Sequence, residues 1–139
     1  MKSKIIIIVR KISKLFTKLF YQTKLGRLVI DTIASEAMER VVKVQHLKDL
    51  FIFTAPNYLN NWRLKTFSLK EPETLEWIDG IKKGAILWDI GANVGLYSVY
   101  AAKKRNCNVY SFEPSVFNLE LLARNAHCNK VSDKITILP

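Results

Sequence analysis

The residues best placed to do chemistry lie between Asp89 and Glu113. Asp89-Ile90-Gly91-Ala92-Asn93-Val94-Gly95 closes an apolar run, Ala85 to Ile90, and leads into a stretch with helical spacing, Leu96 to Lys104. Glycine lets backbone pass close to a ligand and admits positive φ, so Gly91 and Gly95 suit a turn that cradles a small molecule. In parallel α/β sheets, ligands bind beyond the carboxyl ends of the strands, at such turns. Glu113 ends the next apolar run, Asn108 to Phe112, 24 positions after Asp89. An acid at that place can accept hydrogen bonds from both hydroxyls of a ribose. Strand, glycine turn, helix, strand and acid together read as a nucleoside-binding half-fold. Blander readings exist for each residue. Gly91 and Gly95 could form a bare strand-to-helix turn, Asn93 could only cap the helix, and Tyr97 could be core rather than pocket lining.

The residue types narrow the ligand. The dinucleotide fingerprint is G-x-G-x-x-G. Counted from Gly91, its second glycine falls on Asn93 and its third on Leu96. A phosphate loop with a closing Lys-Ser/Thr is also absent. A carboxylate at Asp89 would repel a pyrophosphate and suit a cationic cofactor. S-adenosylmethionine carries a sulfonium and an ammonium, and offers its ribose diol to Glu113. Its carboxylate suits the backbone N–H groups at the start of the following helix. Glu71 and Glu73 could approach the ammonium, or simply complement a helix N-terminus.

These residues need a scaffold, and the pattern from Glu71 onward supplies one. Pro72 suits a first helical turn, with Leu75 and Ile78 as the buried face and Gly80 as its end. Strands over 85–90, 108–112 and 134–138 alternate with helices over 96–104 and 115–126. That order predicts an α/β fold with a parallel, Rossmann-like sheet. Upstream, residues 3–22 read as a basic amphipathic helix and 27–47 as a second helix. Residues 49–54 and 62–67 read as short strands, with turn chemistry at Ala55-Pro56-Asn57 and Asn60-Asn61. The chain thus divides into a basic accessory region, 1–69, and a cofactor-binding region, 70–139. His46 reads as a surface residue. His127, Cys128 and Cys107 fall at the far edge of the sheet, away from the glycine turn. No acid–base pair or metal cluster is evident.

Composition sets the outer bounds. The chain has 139 residues, 49% hydrophobic and 24% charged, enough for one domain and too apolar for a disordered tail. Two cysteines exclude a disulfide scaffold. The longest apolar run, Ile5 to Val9, is too short for a membrane span or a signal-peptide core. The expected location is cytoplasmic, with peripheral membrane contact through residues 3–22 as one reading of the first helix. The formal charge of +10 is uneven: residues 1–70 hold 14 Lys/Arg against 4 Asp/Glu, and residues 71–139 hold 8 of each. The first helix has three readings: a membrane-surface helix, a helix packed on the rest of the protein, or a nucleic-acid binder. Leu15, Phe16, Leu19 and Phe20 favour an apolar partner over nucleic acid.

WDIGANVGLYSVYAA at 88–102 and VYSFEPSVFNLELLARNA at 109–126 resemble the FkbM-type class I S-adenosylmethionine-dependent methyltransferases. KEPETLEWID at 70–79 is similar to the approach to the first strand in that family. The resemblance implies that Asp89, Gly91, Asn93 and Gly95 form the first cofactor motif. It makes Glu113 the ribose acid and puts Pro114 and Ser115 beside the adenine. It implies O-methylation of a hydroxyl on a carbohydrate or natural product, with a small-molecule or glycan acceptor and no nucleic acid. The family's sheet has seven strands, so residues 70–139 correspond to its N-terminal part. The implied strand order leaves one edge of the first strand open and apolar, and an isolated chain is expected to bind cofactor weakly and to be inactive. Two other readings remain: a nicotinamide-dependent oxidoreductase, disfavoured by Asn93 and Leu96, and a non-catalytic membrane-surface module.

Overall fold

A computed structural model describes residues 2–139, which form two compact units, one ending at Glu39 and the other comprising Arg40–Pro139. The contact boundary thus falls thirty residues before the expected division at 69/70.

The first unit is a helical pair. Helix α1 (Lys2–Phe20) sets Ile8, Ile12, Leu15, Phe16 and Leu19 at three- and four-residue steps, with Lys4, Lys11, Lys14 and Lys18 on the remaining surface. A short turn leads into α2 (Lys24–Glu39). Thr23 caps that helix: its Oγ1 accepts from the Gly26 N–H at 2.9 Å. A Cβ on Gly26 would lie 1.9 Å from the Phe20 carbonyl oxygen, so only glycine permits this corner.

The second unit opens with an antiparallel hairpin, β1 (Val41–His46) and β2 (Asp49–Thr54), in register from Val41↔Thr54 to His46↔Asp49. The expected helix over 27–47 therefore stops at Glu39. Val41, Val42 and Val44 are β-branched, and their half-buried and exposed positions alternate as a strand requires. Helices α3 (Tyr58–Lys65), α4 (Phe67–Lys70) and α5 (Pro72–Gly80) follow. The expected strand over 62–67 is thus mostly helix. Asn57 caps α3 by accepting from the Asn60 N–H at 2.9 Å, and the buried residues Asn60, Leu64 and Phe67 recur at helical steps. His46 is half-buried rather than on the surface. It bonds Ser68 Oγ at 2.7 Å and stands edge-on to Tyr100.

The α/β portion is as expected: β3 (Ile86–Ile90), α6 (Leu96–Arg105), β4 (Asn108–Phe112), α7 (Val116–Cys128) and β5 (Ile135–Leu138). The three strands are parallel, ordered β3-β4-β5, with Asp89↔Ser111 and Phe112↔Leu138 in register. Among the described residues β3 is an edge strand. Its alternate side chains Ile86, Trp88 and Ile90 are 66%, 67% and 78% exposed, so the sheet presents an apolar face and an open edge. The opposite face packs on the core. There Phe51, Phe53, Phe67 and Tyr100 form an aromatic cluster beside Leu75, Ile78, Val99 and Leu122.

Two asparagines one helical turn apart join α7 to the hairpin. The Asn129 side chain accepts from the Ile52 N–H at 3.0 Å and donates to the Ile52 carbonyl at 2.6 Å. Asn125, fully buried, accepts from the Thr54 N–H and donates to the Val94 carbonyl, both at 2.7 Å. The edge of β2 is thereby paired by side chains as another strand would pair it.

Candidate functional site

The turn between β3 and α6 contains three left-handed residues: Gly91 (φ +82°), Asn93 (φ +53°) and Gly95 (φ +78°). Hydrogen bonds to the end of β4 hold that shape. The Gly91 and Ala92 N–H groups both donate to the Phe112 carbonyl, at 2.9 and 3.0 Å. The Asn93 N–H donates to Glu113 Oε2 at 2.8 Å. Glycine serves different ends at the two positions. A Cβ at Gly91 would face open space, so there the conformation alone requires glycine. At Gly95 a Cβ would also lie 2.8 Å from Leu122 Cγ, so the residue lets α7 close on the turn.

Glu113 is buried, and its second oxygen, Oε1, accepts from the Ser115 N–H at 2.8 Å and from the Asn118 amide at 3.2 Å. Burial pushes its carboxyl up, but the N–H groups of Ser115 and Asn93, the Asn118 amide and the nearby Arg63 charge outweigh that and hold it below the usual glutamate range. Oε2 carries one protein donor and keeps an acceptor position, which suits a ligand hydroxyl. Asp89 lies behind the turn. It accepts from the Ser98 hydroxyl, which in turn lies 2.8 Å from the buried Ser111 hydroxyl. Burial raises the Asp89 carboxyl above its ordinary value. Pro114 is exposed and Ser115 half-exposed, at the mouth of the loop after β4.

The turn opens on a cleft of about 220 Å³ lined by Arg63, Phe67, Lys70, Glu71 and Tyr97 opposite the Gly91–Val94 backbone. Of the expected site residues, Gly91 and Asn93 line this cleft, whereas Asp89, Gly95 and Glu113 brace it from behind. Asn93 does not cap α6; its Oδ1 accepts from Arg63 at 2.9 Å and from the Val94 N–H at 2.9 Å. Tyr97 is both core and lining. Its ring packs on Phe67, and its hydroxyl donates to Glu71 Oε2 at 2.9 Å. That bond, with Lys70 at 3.2 Å, holds the Glu71 carboxyl below its ordinary value. Sequence reasoning missed Arg63 and Lys70, because the segment carrying Arg63 reads as a strand that would have placed it elsewhere. Among the described residues no His, Cys, Asp and Glu cluster could hold a metal ion.

The walls give the cleft a cationic pair, Arg63 and Lys70, and one carboxylate, Glu71, as an amino-acid zwitterion requires. Its volume is below the roughly 300–1,000 Å³ of a whole small-molecule site, so these walls make part of one.

No protein-family model matches the chain. A tRNA (guanine(37)-N(1))-methyltransferase of Dictyostelium discoideum is 27% identical over 108 residues, covering 78% of this chain and 22% of the relative. Among solved structures, M. jannaschii TYW2 in complex with AdoMet superposes with a TM-score of 0.52 at 17% identity, covering 70% of this chain and 42% of that one. P. horikoshii TYW2 in complex with MeSAdo gives 0.52 at 18% identity, covering 70% and 34%. The chain spans about a fifth of the curated relative's length. The relative's tRNA substrate overturns the expectation of a small-molecule or glycan acceptor and no nucleic acid. What the likeness to the solved structures shows is architecture: over about 70% of its length this chain carries the Rossmann-like α/β fold of these two proteins.

Proposed function

We propose that the chain binds S-adenosylmethionine at the Gly91–Gly95 turn, as the cofactor-binding part of a class I methyltransferase acting on RNA. The observation that carries the cofactor is the closure of a turn with three left-handed residues onto Glu113, beside a cleft with two cations and one carboxylate. When bound, the cofactor supplies a methyl group on a sulfonium. Arg63 and Lys70 would receive its carboxylate, and Glu71, fixed by Tyr97, its ammonium. Glu113 Oε2 would accept from the ribose, with Pro114 and Ser115 toward the adenine. Asp89 keeps Ser98 in place and so holds the start of α6 against the end of β3.

Methyl transfer is an in-line displacement, so the chain's contribution is to hold the donor rigid and aimed. The hydrogen bonds from Gly91 and Ala92 to Phe112 and from Asn93 to Glu113 fix the turn for this. The RNA reading is supported by the tRNA-modifying relative. An FkbM-type lineage rests on the segments at 70–79, 88–102 and 109–126, and the cofactor site is the same under either lineage. A cytoplasmic location belongs to the same proposal.

Isothermal titration with S-adenosylmethionine and with NADH tests the reading. Binding of the first and not the second is expected. Arg63→Ala should weaken it at least tenfold, the scale of one charge-assisted hydrogen bond. A filter-binding assay should show tRNA retained and lost at high salt. NADH binding in place of S-adenosylmethionine would sink the cofactor assignment, and indifference to tRNA would sink the acceptor.

A further inference from the structure

We infer that α1 is a surface anchor that lies in the interface of an anionic lipid bilayer. It is 19 residues long, about 28 Å at 1.5 Å per residue, and helical throughout. Ile8, Ile12, Leu15, Phe16 and Leu19 share one side, an arc of roughly 100° at 3.6 residues per turn. They are 55%, 63%, 61%, 58% and 57% exposed, and Phe16 stacks on Phe20 at 4.7 Å. Lys4, Arg10, Lys11, Lys14 and Lys18 lie on the arc beside it, and the first acidic residue of the chain is Asp31. No described helix is long and apolar enough to cross a membrane. An uncovered apolar stripe on a helix whose every charged residue is a cation satisfies both features at one kind of surface: acyl chains under the stripe and anionic headgroups around the cations.

RNA fits only half of this pattern. Phosphates would engage the cations, but the isoleucines, Leu15, Phe16 and Leu19 would gain nothing from a polyanion. Apolar exposure does not end at the Gly26 corner: Leu25, Leu28 and Ile33 of α2 are 70%, 64% and 63% exposed. This inference does not depend on the cofactor reading, since it uses only residues up to Ile33.

Co-sedimentation of the full chain with phosphatidylcholine vesicles, and with vesicles that also contain phosphatidylserine, tests it. Strong binding to the anionic vesicles and weak binding to the neutral ones is expected. Lys11→Glu/Lys14→Glu/Lys18→Glu should lower the anionic partition coefficient by roughly a hundredfold or more, since each cation near such a surface contributes about fivefold. Leu15→Ser/Phe16→Ser/Leu19→Ser should abolish binding to both vesicles. The six positions are exposed, so circular dichroism should show each variant's helix content retained. Equal partitioning into the two vesicles, or an unchanged charge variant, overturns the inference. So does a charge variant that loses binding to an RNA oligomer while its vesicle binding stays the same.

Discussion

At the scale of single residues, Glu113 is where fold and site meet. One carboxylate ties the N–H of Asn93 in the glycine turn to the N–H of Ser115 at the start of α7, while keeping an acceptor position for a ligand. Its folded pKa lies below the ordinary 4.5, so the ionised form stabilises the fold above that value. That contribution is lost as pH falls through the folded value. Glu113→Gln keeps the shape and removes the charge, leaving N–H groups with a weaker acceptor. Urea denaturation near neutral pH should show the variant about 1–3 kcal/mol less stable. The gap should narrow below pH 4.5, where the native residue also loses its charge. A gap independent of pH would mean that the carboxylate's charge does no such bracing. Asp89 has the opposite sign: burial raises its carboxyl, so ionisation there costs the fold stability.

At the scale of elements, the asparagines of α7 matter more than their sequence suggests. Asn125 joins the β2 backbone at Thr54 to the cofactor turn at Val94, and is fully buried. Asn125→Ala would orphan a buried N–H and a buried carbonyl together. We expect a loss of about 2–4 kcal/mol in urea denaturation, with a further loss of cofactor affinity in titration as the turn loosens. Asn129→Ala should leave cofactor affinity intact, because Asn129 contacts the hairpin and not the turn. The sequence made the elements after Glu71 legible because each strand is a short apolar run ended by a turn signal, and the Gly91–Gly95 turn with Glu113 was legible for the same reason. Earlier elements were harder. Val41 continues the helical spacing of α2 while starting a β-branched run, and only pairing with β2 decides between them. Trp62, Leu64 and Thr66 alternate like a strand, and the decisive signal was Asn57, whose preference for turns is also a preference for helix caps. Arg63 was lost with that segment, and Asn125 was hidden because a polar residue on a helix ordinarily faces water.

At the scale of the whole molecule, cations and uncovered apolar surface are unevenly placed. The net charge of +10 belongs to residues 1–70, while the neutral remainder carries the β3 edge with Ile86, Trp88 and Ile90 on one sheet face. Unpaired edge N–H and carbonyl groups beside a large exposed apolar patch are a template for association. Residues 71–139, which carry that edge, are neutral, so no local excess of like charge opposes it there. The chain should therefore self-associate with rising concentration, visible in light scattering coupled to size exclusion. Ile86→Lys/Ile90→Lys places like charges on the two same-face positions that flank Trp88 on the edge strand, which should suppress that association. Both side chains are largely exposed, so the thermal midpoint should change little. Trp88, tilted against Phe112 at 5.7 Å, is left in place to keep the sheet packing intact. Association that persists in the variant would assign it to another surface, the exposed α1 stripe foremost. Repeating the measurement with Leu15→Ser/Phe16→Ser/Leu19→Ser would then separate the two.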